Sequence, residues 1–100
     1  MQEDLRAMRH LIDVMDQAVL DLINQRVAIT REIAAMKARE ALPDRDEARE
    51  QQLLLRIILG NTGPISDKTA QRIFELLMEE SRRYQARCRQ SASTAGETRA

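Results

Sequence analysis

Apolar side chains recur at alternating steps of three and four through the first third of the chain: Leu5, Met8, Ile12, Met15, Val19, Leu22, then Ile29, Ile33 and Met36. That period belongs to one long helix presenting a continuous stripe to partner helices. The step between Leu22 and Ile29 falls on Arg26. An unpaired guanidinium buried in such a seam costs several kcal/mol, so an anion is expected to meet it. That anion is either a carboxylate of the protein, making a structural ion pair, or a bound ligand.

No glycine or proline precedes Pro43, so the first helix is expected from about Gln2 or Asp4 to about Glu40. At 1.5 Å per residue this is a rod of roughly 55 Å. Pro43 biases Leu42 away from helical geometry and stops it. A second helix is expected from near Asp44, with Asp44, Asp46 and Glu47 at the positive end of its dipole, as far as Gly60. The segment Gly60-Asn61-Thr62-Gly63-Pro64 is dense in turn formers. A third helix then opens with Ile65 as a staple residue, Ser66 as N-cap and Ala70 as the staple partner. Its apolar face reads Ala70, Ile73, Phe74, Leu77, Met78, then Ser81, Tyr84 and Cys88. From Gln90 onward Ser, Ala, Thr, Gly and Arg follow without period, so residues 90–100 are expected to form a disordered tail beyond a helical domain of residues 1–89. No alternating strand pattern and no internal repeat occurs, and the predicted fold is all-α. A long rod followed by two shorter helices cannot cover its own seam. An intertwined helical homodimer, with two rods side by side and the shorter helices wrapped around them, is the expected solution.

Composition narrows the function. Sixteen basic and sixteen acidic residues cancel, leaving no global field for nucleic acid or an anionic membrane. No apolar run approaches the roughly twenty residues of a membrane span. One cysteine, Cys88, cannot form an intrachain disulfide, and the first twelve residues carry charges where a signal peptide needs an apolar core, so a cytoplasmic chain is expected. One histidine and one cysteine do not build a usual zinc site, and no phosphate-binding glycine loop or nucleophile elbow is present. An enzyme of this composition works by holding charge and shape.

Spacing decides which charged residues can cooperate. Arg26 and Lys37 are eleven positions apart on the first helix, which puts both on nearly the same face with Cα atoms about 16 Å apart. Arg9 lies about 42 Å of helix from Lys37, so it can share a small ligand with Lys37 only from a second, antiparallel chain. On the second helix Asp46, Arg49 and Glu50 stand at i, i+3 and i+4, which places all three on one face. On the third, Ser81 and Gln85 sit one turn apart and offer neutral donors. With Arg9 from a partner, four positive charges oppose two negative ones, a balance suited to a dianion. Each element also has a plain structural alternative: an exposed ion-pair patch for Asp46, Arg49 and Glu50, a solvated lysine near a helix end for Lys37, a hydrogen bond to the preceding turn for Ser81, and a surface position for Arg9.

The order Arg9, Asp16, Arg26, Lys37, Arg45-Asp46, Arg49-Glu50 and Glu80-Ser81 with Gln85 resembles the all-helical chorismate mutases of the AroQ class, over about Leu5 to Gln85. The resemblance implies a homodimer with two equivalent sites, each completed by one residue of the partner. It implies the Claisen rearrangement of chorismate to prephenate, a step toward phenylalanine and tyrosine in aromatic amino-acid biosynthesis, with no cofactor, metal or covalent intermediate. By the same resemblance Lys37, Gln85 and Glu50 are catalytic: Lys37 and Gln85 donate to the ether oxygen, and Glu50, assisted by the Asp46 region, accepts from the ring hydroxyl. Arg26 and the partner's Arg9 hold carboxylates, Ser81 contacts one of them, Arg49 orients the acidic groups, and Asp16 is structural. Two readings stay open beside this one. A mutase of 4-amino-4-deoxychorismate would use the same fold, since a carboxylate such as Glu50 accepts from an ammonium as well as from a hydroxyl; an isochorismate pyruvate lyase fits Glu50 less well. A non-catalytic helical dimerisation module would leave Arg26 merely ion-paired.

Overall fold

The computed structural model describes residues 1–99, with side chains as far as residue 91. Three helices follow in order: α1 (Gln2–Arg39), α2 (Glu47–Gly60) and α3 (Asp67–Arg99). Among the described residues there is no strand, and the all-α expectation holds.

Helix α1 ends in a Schellman motif. Leu42 N–H donates to the Lys37 carbonyl at 2.8 Å and Ala41 N–H to that of Ala38 at 3.3 Å, satisfying carbonyls that the last turn would leave orphaned. The motif needs a left-handed residue at its turn, and Ala41 takes that position with φ 55°. An L-residue with a Cβ pays about 1 kcal/mol there, a cost glycine escapes. Ala41→Gly is therefore expected to raise the unfolding free energy by roughly 0.5–1 kcal/mol, read as a higher urea midpoint at unchanged slope. An unchanged or lower midpoint would show that the turn is not strained.

Helix α2 starts later than the acidic cluster suggests. Asp46, not a residue near Asp44, is the N-cap, and its carboxylate accepts from Arg49 N–H at 3.0 Å. Of the three acidic residues after Pro43, Asp46 is placed to close that bond, so Glu47 becomes the first helical residue. Asp46 thus lies just outside the helix whose first turn carries Arg49 and Glu50. The α2–α3 turn is pinned by Asn61, which donates to the Ile65 carbonyl and the Asp67 carboxylate at 2.9 and 2.8 Å and accepts from Gly63 N–H at 3.1 Å. Ser66 caps α3 as expected, accepting from Thr69 N–H at 3.1 Å. The α3 backbone stays helical to Arg99, past the Gln90 at which the sequence pattern begins an aperiodic tail. Neither glycine nor proline falls between Ile65 and Ala95 to stop it.

Helix α3 packs against both α1 and α2, whose own backbones stay apart. The chain is consequently a slab of 66 × 31 × 15 Å, about one helix thick. Ala70, Met78 and Ser81, all on the inner face of α3, are the buried residues among those described. The nine apolar members of the α1 stripe are 43–64% exposed, and no residue of α1 is buried.

Candidate active site

Where α3 crosses the second half of α1 and the first turns of α2, the three helices enclose a cleft of about 210 Å³. Arg26 and Lys37 enter it from α1, Asp46 from the α2 cap, Arg49 and Glu50 from α2, and Ser81 and Gln85 from α3. All seven site residues that spacing allows within one chain therefore line one cavity. Arg9 does not reach it. It borders a separate hollow near the start of α1 with Gln2, Leu5, Arg6, His10 and Asp13.

Arg26 is half-buried and faces α3, where its Nη1 donates to the Ser81 hydroxyl at 3.5 Å. Ser81 in turn donates to the Leu77 carbonyl at 2.8 Å, the back-bond expected of a mid-helix serine, so the hydroxyl serves both readings at once. Among the described residues no carboxylate pairs with Arg26, and the structural ion pair that would have explained it is not made within this chain. The seam arginine faces an open cavity with its charge unmatched.

Lys37 belongs to the last turn of α1. Its Nζ donates to the Asp44 carbonyl at 3.2 Å, which tethers the 40–46 loop and leaves the ammonium two further donors. The Asp44 carboxylate pairs with Arg89 of α3, which ties the loop to that helix. Gln85 is half-buried, and its amide has no partner among the described residues.

Glu50 departs from the expected arrangement. Its carboxylate, 17% exposed, is held by Arg82 of α3 at 2.7 Å and by Arg45 of the loop at 3.3 Å. Arg49, expected to orient the acidic groups, makes no ion pair with Glu50; its backbone N–H serves the Asp46 cap and its side chain is free to reach the cavity. The hydrogen bond and charge of Glu50 push the Arg45 guanidinium above its ordinary pKa, so Arg45 stays charged throughout the accessible range. Asp16, for which a structural role is expected, is exposed on α1.

Sequence reasoning missed Asp44, Arg45 and Arg82 as parts of the cavity and placed Met78 only in an apolar helix face; Met78 forms the apolar wall of the cavity together with Leu53 and Ile33. The signal for Arg82 was its place directly after Ser81, about 100° round the helix and thus at the edge of the same face. With all of these included, five cationic side chains oppose three anionic ones around the cavity. A net positive, partly apolar cleft of this size suits a small dianionic ligand with a hydrocarbon body.

The comparisons with known proteins agree with this geometry. The family model described as Chorismate mutase type II matches residues 8–86. Bifunctional chorismate mutase/prephenate dehydratases of Stutzerimonas stutzeri and of Buchnera aphidicola subsp. Baizongia pistaciae are 35% and 32% identical over 82 and 78 residues, covering 76% and 77% of this chain. The chain spans about a fifth of the length of these relatives, 22% and 21%. Among solved structures, the chorismate mutase from Thermus thermophilus superimposes in its Form II with a TM-score of 0.74 at 27% identity, over 77% of this chain and 88% of that one. Its Form I gives the same TM-score and identity over 96% of that chain.

Proposed function

Because the chain belongs to the type II chorismate mutase family, we propose that it catalyses the Claisen rearrangement of chorismate to prephenate. The observation that carries this reading is the meeting of Arg26, Lys37, Asp46, Arg49, Glu50, Ser81 and Gln85 in one positively biased cleft. In this rearrangement the ether C–O bond of the substrate breaks as a new C–C bond forms, and negative charge builds on the ether oxygen. Such a unimolecular reaction is accelerated by holding the compact conformer and by donors aimed at the developing charge. Lys37, with two donors beyond its loop contact, and the unpartnered amide of Gln85 are suited to that oxygen. Arg26, lacking a protein carboxylate, takes one substrate carboxylate in the fork geometry a lysine lacks, with Ser81 beside it. Arg49 adds positive potential. Glu50 accepts from the ring hydroxyl; Asp46, one oxygen already committed to the α2 cap, assists with the other.

The second carboxylate falls to the partner's Arg9 in a homodimer. Covering the nine half-exposed stripe residues gains about 1 kcal/mol each, roughly 10 kcal/mol in all. Association costs about 4–15 kcal/mol, so the stripe alone does little better than break even. An intertwined dimer adds the exposed Leu55, Leu59 and Leu76 of the other helices and Ile65 of the turn between them. Among the described residues no helix is long and apolar enough to cross a membrane, and with a single thiol the chain suits the reduced cytoplasm.

The test is to mix the purified protein with chorismate and follow loss of its absorbance, with prephenate identified as product. Saturable turnover is expected. Its absence would favour a non-catalytic helical module.

A further inference from the structure

Arg82 holds the carboxylate that the proposed reading aims at the substrate ring. Its Nη1 donates to both Glu50 oxygens, at 2.7 and 3.0 Å, across 32 positions of sequence. From the opposite side Arg45 approaches the same carboxylate through Nε and Nη2 at 3.3 and 3.4 Å. The two arginines are not equivalent. Arg45 is 55% exposed and shares its charge with Glu47 at 3.6 Å. Arg82 is 38% exposed, and among the described residues Glu50 is its one ionic partner. Arg45 therefore divides its charge between Glu50 and Glu47, whereas Arg82 gives its charge to Glu50 at the shorter distance.

A carboxylate offers roughly four lone-pair positions, and the four contacts occupy them. A neutral hydroxyl needs one of these and brings no charge; it displaces a long contact to the exposed Arg45 and leaves the Glu50–Arg82 pair whole. An ammonium would have to sit beside the same oxygens, within a few ångströms of the Arg82 guanidinium, at a carboxylate whose charge is already matched. Repulsion between two cations at such range in a partly enclosed site outweighs a hydrogen bond. Without Arg82, Glu50 would keep only the longer contacts to the exposed Arg45, whose charge Glu47 shares, and would be a better seat for an ammonium.

We propose that Arg82 sets the substrate preference of this cleft: by neutralising Glu50 it directs the carboxylate to a ring hydroxyl, as in chorismate, and turns away the ring ammonium of 4-amino-4-deoxychorismate. Arg82 is a specificity-determining and positioning residue. The inference rests on the mutase reading given above, in which Glu50 faces the ring substituent.

The experiment compares kcat/KM for chorismate and for 4-amino-4-deoxychorismate in the wild-type protein, Arg82→Gln and Arg82→Lys. Wild type is expected to prefer chorismate. Arg82→Gln narrows the ratio at least about tenfold, equivalent to about 1.4 kcal/mol, while Arg82→Lys, which keeps the cation, stays within about threefold of wild type. A purely structural defect would lower both substrates together and leave the ratio alone. If Arg82→Gln loses its helical circular dichroism, Arg82→Met, of similar length and no charge, is read in its place. A ratio unmoved by loss of the cation while chorismate is still turned over overturns the proposal and spares the mutase reading, and so does a wild-type preference for the amino substrate. Failure of the wild type to turn over either substrate removes the mutase reading and this inference with it.

Discussion

Replacing Lys37 with alanine is expected to lower kcat for chorismate by about a hundred- to a thousandfold, the usual effect of removing one donor aimed at charge that appears in the transition state. KM should change far less, because the ether oxygen of the bound substrate carries little of that charge. The fold should survive. Lys37 is not in the buried core, and its tether to the Asp44 carbonyl is a single 3.2 Å contact at an exposed loop, which contributes no more than about 1 kcal/mol. Steady-state kinetics beside urea unfolding separates the two effects. A kcat within tenfold of wild type would remove Lys37 from the proposed role, and a collapse of the urea midpoint would show that the side chain acts by holding the loop.

The second large effect concerns Arg9, which the structure leaves outside the cleft of its own chain. Arg9→Ala is expected to be nearly inactive although the altered residue lies about 42 Å of helix from Lys37. Coexpression with an Arg9→Ala chain should then rescue a Lys37→Ala chain. In a mixed dimer one site receives Lys37 from the first chain and Arg9 from the second, while the other site lacks both. Random pairing makes half the dimers mixed, so about a quarter of wild-type activity is expected from symmetry alone. Differently tagged chains and native mass spectrometry verify that mixed dimers form. Mixed dimers without activity would show that the two residues do not belong to one site.

Much of the cleft was legible because it hangs on helical geometry. The stripe on α1 named Arg26 by exclusion, and a three-turn offset tied Lys37 to it; neither step needs tertiary information. Ser81 and Gln85 followed from a polar break in the α3 stripe. What stayed hidden depends on how α3 crosses α2. Arg82 and Glu50 are 32 residues apart, and no periodicity within one helix reveals a contact between two. The same holds for Asp44 and Arg89. The start of α2 was misplaced for a local reason: Asp44, Asp46 and Glu47 all suit a helix N-terminus by charge, whereas the cap is decided by which side chain the loop after Pro43 turns toward the Arg49 N–H. Arg49 and Glu50 are neighbours in sequence and do not face each other on a helix, and Glu50 finds its partners on the loop and on α3.

A slab of 15 Å has little interior of its own, so whatever covers its exposed apolar surface would add to its stability. If the partner that covers α1 also delivers Arg9, folding and turnover draw on one association equilibrium. Dilution would then erode both together. In that case activity would depend on the abundance at which two chains find each other as well as on the stability of each, and a drop in expression would cost more activity than the loss of protein alone accounts for.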